Sequence, residues 1–336
     1  MNEQTPIKKP QSTKRGSLLE RAAEAFDFNG LLRRDDAAPM PVSPPPQTPA
    51  NPATAATPAA EREARPPRSQ FSRRASDRPT TSKPVVNAPR QNVDRDALAD
   101  AAMIVPGGPV SGLAEEFRII KRRLLREIKA FEDDPQRTNG RQDIARRILI
   151  TSANPHEGKT YCAVNLAMSL AMEQDHEVLL VDADFAKPSV LSTLGLAAER
   201  GFMDALADPS IDVANAIIPT DISGLSVLSA GTQTPKDSEY LASQRTELVL
   251  ARLTEQAPRR IVIFDSPPVL AASPAIVLGA HVGQALMIVR ADQTKESALK
   301  DAIGLMAACA HIQLLLNGVK FSPGGRRFGT YYGQGD

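Results

Sequence analysis

Hydrophobic positions follow three rhythms along this chain. Over residues 1–100 there is almost none. The stretch "APMPVSPPPQTPANPATAATPAA" presents no apolar face, and more than half of the chain's 28 prolines fall in these first hundred residues. A segment of this kind buries too little apolar surface to offset its ordering entropy, so residues 1–100 are expected to be disordered. One patch departs from this. In "SLLERAAEAFDF", Leu18, Leu19, Ala22, Ala25 and Phe26 fall near one helical face. Residues 17–28 read either as a transient helix or as a helix that docks on a partner. From Ser111 the period becomes helical. Leu113, Phe117, Ile120, Leu124, Ile128 and Phe131 recur at three-to-four spacing, Ser111 is placed to cap the helix, and Glu115 and Glu116 sit in its first turns. Arg118, Lys121, Arg122 and Arg126 mark the opposite face.

The third rhythm is continuous. "RILITS", "EVLLVD", "LSVLSA", "RIVIFDS", "ALMIVR" and "IQLLLN" are uninterrupted apolar runs, as strands covered on both faces of a parallel sheet require. Helical stretches separate them: "TYCAVNLAMSLAMEQ", "SEYLASQRTELVLARLTEQ" and "KESALKDAIGLMAACA". Strand-helix alternation predicts an α/β domain over 101–320, a mostly parallel sheet flanked by helices, with ligands beyond the carboxyl ends of the strands. "FSPGGRRFGTYYGQGD", residues 321–336, reads as a flexible glycine-rich tail.

Composition removes some function classes. Lys+Arg number 40 and Asp+Glu 39, so no charge excess points to nucleic acid. The two cysteines are far apart, which suits a reducing compartment better than a disulfide framework. The first residues hold no signal-peptide core, and no stretch approaches the ~18 uncharged apolar residues of a membrane span. The chain is expected to be cytoplasmic and to meet a membrane only through a partner, without inserting.

The candidate chemistry lies at strand ends. "ITSANPHEGKT" joins an apolar strand to a helix and closes in Gly158-Lys159-Thr160, as a phosphate-binding loop does. The first glycine of G-x-x-x-x-G-K-[ST] is replaced by Ala153. Backbone N–H groups of the loop and the helix dipole would face a phosphate, Lys159 would reach its β and γ oxygens, and Thr160 would hold Mg²⁺. The loop candidates are therefore Pro155, His156, Glu157, Gly158, Lys159, Thr160 and Tyr161. Two further motifs follow. "LLVDADFAKPSV" sets Asp182 and Asp184 two residues apart at a strand end, and "RIVIFDSPPVL" ends another strand in Asp265. Unpaired carboxylates are costly to bury. Mg²⁺ bound through few carboxylates, waters and phosphates explains the set.

These residues resemble the Walker A, A′ and B motifs of bacterial tyrosine kinases (BY-kinases) of polysaccharide export, and the resemblance covers about residues 100–320. Within that family "EEFRIIKR", "DFAKPSV", "YLASQR" and "FDSPPVLAASPA" look most like the autokinases of exosortase A (PEP-CTERM) loci. The resemblance implies an ATP- and Mg²⁺-dependent tyrosine autokinase that regulates exopolysaccharide synthesis, polymerisation and export. It makes Asp182 a candidate base for the tyrosine hydroxyl, puts Asp184 and Asp265 with Thr160 at the metal, and places Asn317 against adenine. It makes Glu115, Arg118 and Lys121 a ring-forming helix surface, with Lys in place of the family's last Arg. It makes Tyr331 and Tyr332 the phosphoacceptors, modified in trans between ring subunits. The implied partner is a chain-length determinant protein in the inner membrane. His156 stands where the family usually has Gly, which is tolerable if its φ is negative. The rival class is a partitioning-type ATPase switch that passes phosphate to water. That class usually carries a second lysine early in the loop, where this chain has Asn154.

Overall fold

The computed structural model describes residues 89–319, apart from Val110, Pro135, residues 137–141 and Gln256. Residues 17–28 and the tail tyrosines lie outside the described residues. The chain order is α1 (Arg95–Asp100), α2 (Gly112–Asp133), β1 (Arg147–Ser152), α3 (Lys159–Ala171), β2 (Glu177–Asp182), α4 (Val190–Leu194), α5 (Phe202–Ala207), β3 (Ile218–Pro219), β4 (Leu225–Leu228), α6 (Asp237–Leu241), α7 (Gln244–Thr254), β5 (Arg260–Asp265), α8 (Pro274–Gly279), β6 (Gln284–Arg290), α9 (Glu296–Leu305) and β7 (Ile312–Asn317).

The seven strands run in the order β3-β4-β2-β5-β1-β6-β7. All neighbours pair parallel except β3 with β4. The continuous apolar runs have the predicted cause. Along β1, Leu149 faces one core layer with Val262, Phe264 and Met287, while Ile148 and Ile150 face the other with Ile261, Ile263 and Leu286. Both faces are dry, so neither position can be polar. β1 lies between β5 and β6, and β5 lies between β1 and β2. The motif-bearing strand ends are therefore adjacent, and the β2–β5 register sets Asp182 opposite Asp265.

Two expectations are corrected. The stretch 238–256 is two helices rather than one, because the chain turns at Ala242 and Ser243, where the Ser243 hydroxyl donates to the Tyr240 carbonyl at 2.6 Å. Residues before 101 also contribute defined structure. Residues 91–105 form a strap in which Val93, Leu98 and Ile104 are buried. The strap joins two elements of the site. The Ile104 N–H donates to Asn165 Oδ1 of α3 at 2.7 Å, and the Asp94 N–H donates to the Leu194 carbonyl of α4 at 3.0 Å.

Helix α2 is capped as expected, with the Ser111 hydroxyl accepting from the Ala114 N–H at 3.2 Å. Its buried face carries Phe117, Leu124, Ile128 and Phe131, and also Lys121. Lys121 Nζ donates to the Ser169 carbonyl at 3.0 Å and pairs with Glu173 at 2.5 Å. Lys121 is 5% exposed, so its side chain is turned inward against α3 rather than presented with Glu115 and Arg118. Glu115 and Arg118 remain accessible and pair with each other at 3.0 Å. Among the described residues no helix is long and apolar enough to cross a membrane.

Candidate active site

The phosphate loop begins where β1 ends. Ala153 is fully buried, and its carbonyl accepts from the Leu270 N–H at 3.3 Å. A buried methyl at this position fits the packing, so the substituted glycine leaves the loop intact. Gly158 caps α3 with φ 96, and a Cβ there would lie 2.1 Å from Asn317 Nδ2. The backbone conformation demands glycine, and a Cβ would displace the Asn317 amide. His156 also has positive φ, 63. The condition under which its side chain would be tolerated without strain is not met. The loop holds an L-residue in the left-handed region at a cost of about 1–3 kcal/mol.

Glu157 accounts for how that strain is held. Its side chain is turned inward and 4% exposed. The carboxylate accepts from the Asn154 N–H at 2.9 Å, from Asn154 Nδ2 at 3.2 Å and from the Thr294 hydroxyl at 2.5 Å. Its backbone carbonyl accepts from Asn317 Nδ2 at 2.9 Å. Glu157 therefore braces the loop against the ends of β6 and β7, and Asn317 reaches the site by supporting the loop from the end of β7. Pro155 and His156 form the exposed crest. Tyr161 points elsewhere, its hydroxyl donating to the Ala102 carbonyl of the strap at 2.8 Å.

Beneath the loop the remaining candidates converge. The Thr160 hydroxyl donates to Asp265 Oδ2 at 2.6 Å and lies 3.2 Å from the Ser189 hydroxyl. Asp265 Oδ1 is buried without a hydrogen-bond partner. Burial pushes the Asp265 carboxyl up to about 7, against the hydrogen bond from Thr160. A desolvated carboxylate oxygen beside a hydroxyl is a poor thing to leave alone and a good donor set for a hard cation. The residues present fit Mg²⁺. Lys159 is 9% exposed, and burial lowers its pKa against the attraction of Asp265, Asp184 and Glu157.

Asp182 is 1% exposed. Its Oδ2 accepts from the Ser189 and Val190 N–H groups, both at 2.9 Å, and its Oδ1 from the Asp184 N–H at 3.2 Å. It shapes the turn into α4. Burial pushes it up to about 6, the three backbone bonds pulling the other way. Asp184 is half-buried, its pKa raised by burial and held back by the Lys187 N–H, which donates to Oδ1 at 3.1 Å, and by Lys159. Sequence reading missed Ser189 and Thr294. Ser189 lies in the "KPSV" that follows the A′ aspartates, and Thr294 follows the β6 strand end.

The comparisons agree with this geometry. The ParA family model, described as a NUBPL iron-transfer P-loop NTPase, matches residues 143–316. The tyrosine-protein kinase YwqD of Bacillus subtilis is 32% identical over 193 residues, covering 57% of this chain and 79% of its own length. The tyrosine-protein kinase Wzc of Salmonella typhimurium is 33% identical over 144 residues, 43% of this chain but only 19% of Wzc. Among solved structures, the BceF tyrosine kinase domain superposes with a TM-score of 0.50 at 27% identity, over 60% of this chain and 76% of that one. A buried Walker B carboxylate bonded to the loop threonine, paired A′ aspartates and this breadth of similarity lead to one assignment: the chain belongs to the bacterial tyrosine kinases, a branch of the ParA-type P-loop NTPases.

Proposed function

We propose that this chain is an ATP-dependent tyrosine autokinase acting in exopolysaccharide synthesis and export, of the type found at exosortase A loci. The observation that carries the reading is the cluster of Thr160, Asp265 and Lys159 under one loop, with a buried Asp265 oxygen that has no hydrogen-bond partner, beside the carboxylate pair at Asp182 and Asp184. Phosphoryl transfer is mainly positioning and charge neutralisation. Lys159 binds the β and γ phosphates, and the loop N–H groups orient them. Thr160, Asp265 and Asp184 would hold Mg²⁺, which when bound neutralises charge on the phosphate oxygens. Asp182 receives the proton of the attacking tyrosine hydroxyl.

The acceptors in this reading are Tyr331 and Tyr332, modified by a neighbouring subunit in a ring that a chain-length determinant protein in the inner membrane activates. The protein works at the cytoplasmic side of that membrane through its partner. Glu115 and Arg118 supply the assembly surface. The test mixes a Lys159→Met chain carrying both tyrosines with an active chain in which both are Phe, using labelled ATP. Label on the Lys159→Met chain is expected. If wild type labels itself and the co-assembled mixture does not, transfer occurs within one chain. If wild type releases phosphate and forms no phosphotyrosine, the kinase reading fails.

A further inference from the structure

Helix α2 carries a charged face that phosphoryl transfer does not use. Its buried side holds Phe117, Leu124, Ile128 and Phe131, with Lys121 turned in beside them. With about 3.6 residues per turn, Lys129, Arg122, Arg126, Ile119 and Arg123 follow one another across the opposite side, within about a third of the circumference. All five are exposed, Ile119 at 52%. Glu127 lies past the edge of this face, toward His311, whose Nε2 is 3.9 Å from its Oε2. Arg118 at the border is taken by Glu115 at 3.0 Å. The carboxylate that acts on Arg122, that of Glu173, is already paired with Lys121. Among the described residues no hydrogen bond or ion pair holds the side chains of Arg123, Arg126 or Lys129.

Such a face is costly to keep. Like charges three or four apart on a helix repel, and Arg118, Arg122 and Arg126 form one such row while Arg123, Arg126 and Lys129 form another. Arg122 to Lys129 covers about 10 Å of helix axis, no more than one screening length at about 0.1 M salt. Their potentials therefore add on one side of the molecule, although the chain as a whole is nearly neutral, with Lys+Arg 40 against Asp+Glu 39. The face is convex. Its side chains radiate from the helix and cannot converge on one small anion, but they match a flat, extended array of anions. No aromatic residue between 118 and 129 offers a base a stacking surface, whereas Ile119 offers an apolar side chain to a lipid headgroup layer.

We propose that this face of α2 is a docking surface for an anionic lipid bilayer, on which the helix lies flat. Arg122, Arg123, Arg126 and Lys129 pair with lipid phosphates, and Ile119 enters the headgroup layer. The contact is peripheral, because the helix's own apolar side is committed to the core. Each Lys or Arg near an anionic leaflet raises affinity about fivefold. Four of them give a reversible, salt-sensitive attachment rather than an anchor. The surface needs neither phosphoryl transfer nor the ring, and it gives the chain a membrane contact of its own beside the one proposed through a partner.

The experiment sediments the full chain, without nucleotide, with vesicles of phosphatidylcholine alone or of three parts phosphatidylcholine to one part phosphatidylglycerol. It is run in about 0.1 M and about 1 M KCl, which take the screening length from about 10 Å to about 3 Å. Wild type is expected to pellet with the anionic vesicles at the lower salt, to leave them at the higher salt and to ignore the neutral ones. A chain combining Arg122→Gln, Arg126→Gln and Lys129→Gln loses three charges at exposed positions and keeps a good helix former at each. It is expected to bind the anionic vesicles at least tenfold more weakly with an unchanged melting temperature. Wild type that binds neither vesicle, or binds both equally, overturns the proposal, and so does a triple variant that binds like wild type. If wild type binds a DNA duplex more tightly than the anionic vesicles and the triple variant loses that binding, the face belongs to nucleic acid and the lipid assignment falls. If the triple variant changes the oligomeric state in light scattering without vesicles, the face is a subunit contact and the assignment falls as well.

Discussion

At the scale of single residues, the site is a set of unfavourable choices held in place by its neighbours. His156 occupies left-handed backbone, Asp265 is a carboxyl with an unpartnered oxygen, and Asp182 is a carboxyl with almost no exposure. The first costs backbone strain, and the two carboxyls would be selected against in a core that served packing alone. Asp265 gives a pH test. Burial pushes its carboxyl up to about 7, against an ordinary value of 3.8. Between those values the folded chain binds more protons than the unfolded one, so this group's contribution to stability is fully present below about 3.8 and lost as pH rises through about 7. Asp182, at about 6, acts with the same sign. Asp265→Asn has no proton to lose. Without nucleotide or Mg²⁺, its melting temperature relative to wild type is expected to climb from pH 5 to pH 8 in calorimetry. A difference that stays flat would show that burial does not control this carboxyl.

At the scale of elements, α2 separates what spacing reveals from what it conceals. The three-to-four pattern located the helix, and its buried face matched the expected Phe117, Leu124, Ile128 and Phe131. The same pattern could not tell that Lys121 turns inward, because a lysine has the same polarity whether its ammonium meets water or a carbonyl. The Ser169 carbonyl and Glu173 that receive it come from α3 and the residues just after it, some fifty positions later, and no local period encodes that contact. The energetic consequence is asymmetric. Lys121→Met keeps the aliphatic stem and leaves the Ser169 carbonyl without this donor, and hydrogen bonds to charged groups are worth about 1.5–3 kcal/mol. Arg118→Ala breaks only an exposed pair worth about 0.3–0.5 kcal/mol. Urea unfolding should therefore show a loss of roughly 2 kcal/mol for Lys121→Met and almost none for Arg118→Ala. Equal effects would mean that Lys121 does not make its inward bonds in solution.

At the scale of the molecule, the sheet was legible because six of its strands are long apolar runs and because the motifs mark their ends. The two-residue strand β3 and the strap were not. "VDRDALADAAMIV" contributes Val93, Leu98 and Ile104 to the core, three apolar anchors too widely spaced and too diluted by charge to register as a periodic element. Their positions follow from partners instead. Val93 N–H donates to Asp221 at 2.9 Å, Arg95 pairs with Asp221 at 2.6 Å, and the Gln91 side chain exchanges two bonds with the Ala197 backbone at 2.8 and 3.0 Å. Through Asp94 the strap holds the carboxyl end of α4, whose amino end is held by Asp182, and through Ala102 and Ile104 it holds α3. The strap thus belongs to the catalytic scaffold, although it lies in the part of the sequence that resembles a linker. Two truncations test this. A chain beginning at Pro89 keeps the strap, and one beginning at Ser111 loses it. Three buried apolar side chains are each worth about 1.5–3 kcal/mol, and ordering the strap consumes part of that. A net difference of roughly 3 kcal/mol corresponds to about 6–12 °C in a domain of this size. The Ser111 chain is expected to melt lower by that amount and to bind ATP more weakly, because α3 and α4 flank the phosphate site. Equal melting temperatures for the two chains would place the strap outside the cooperative fold.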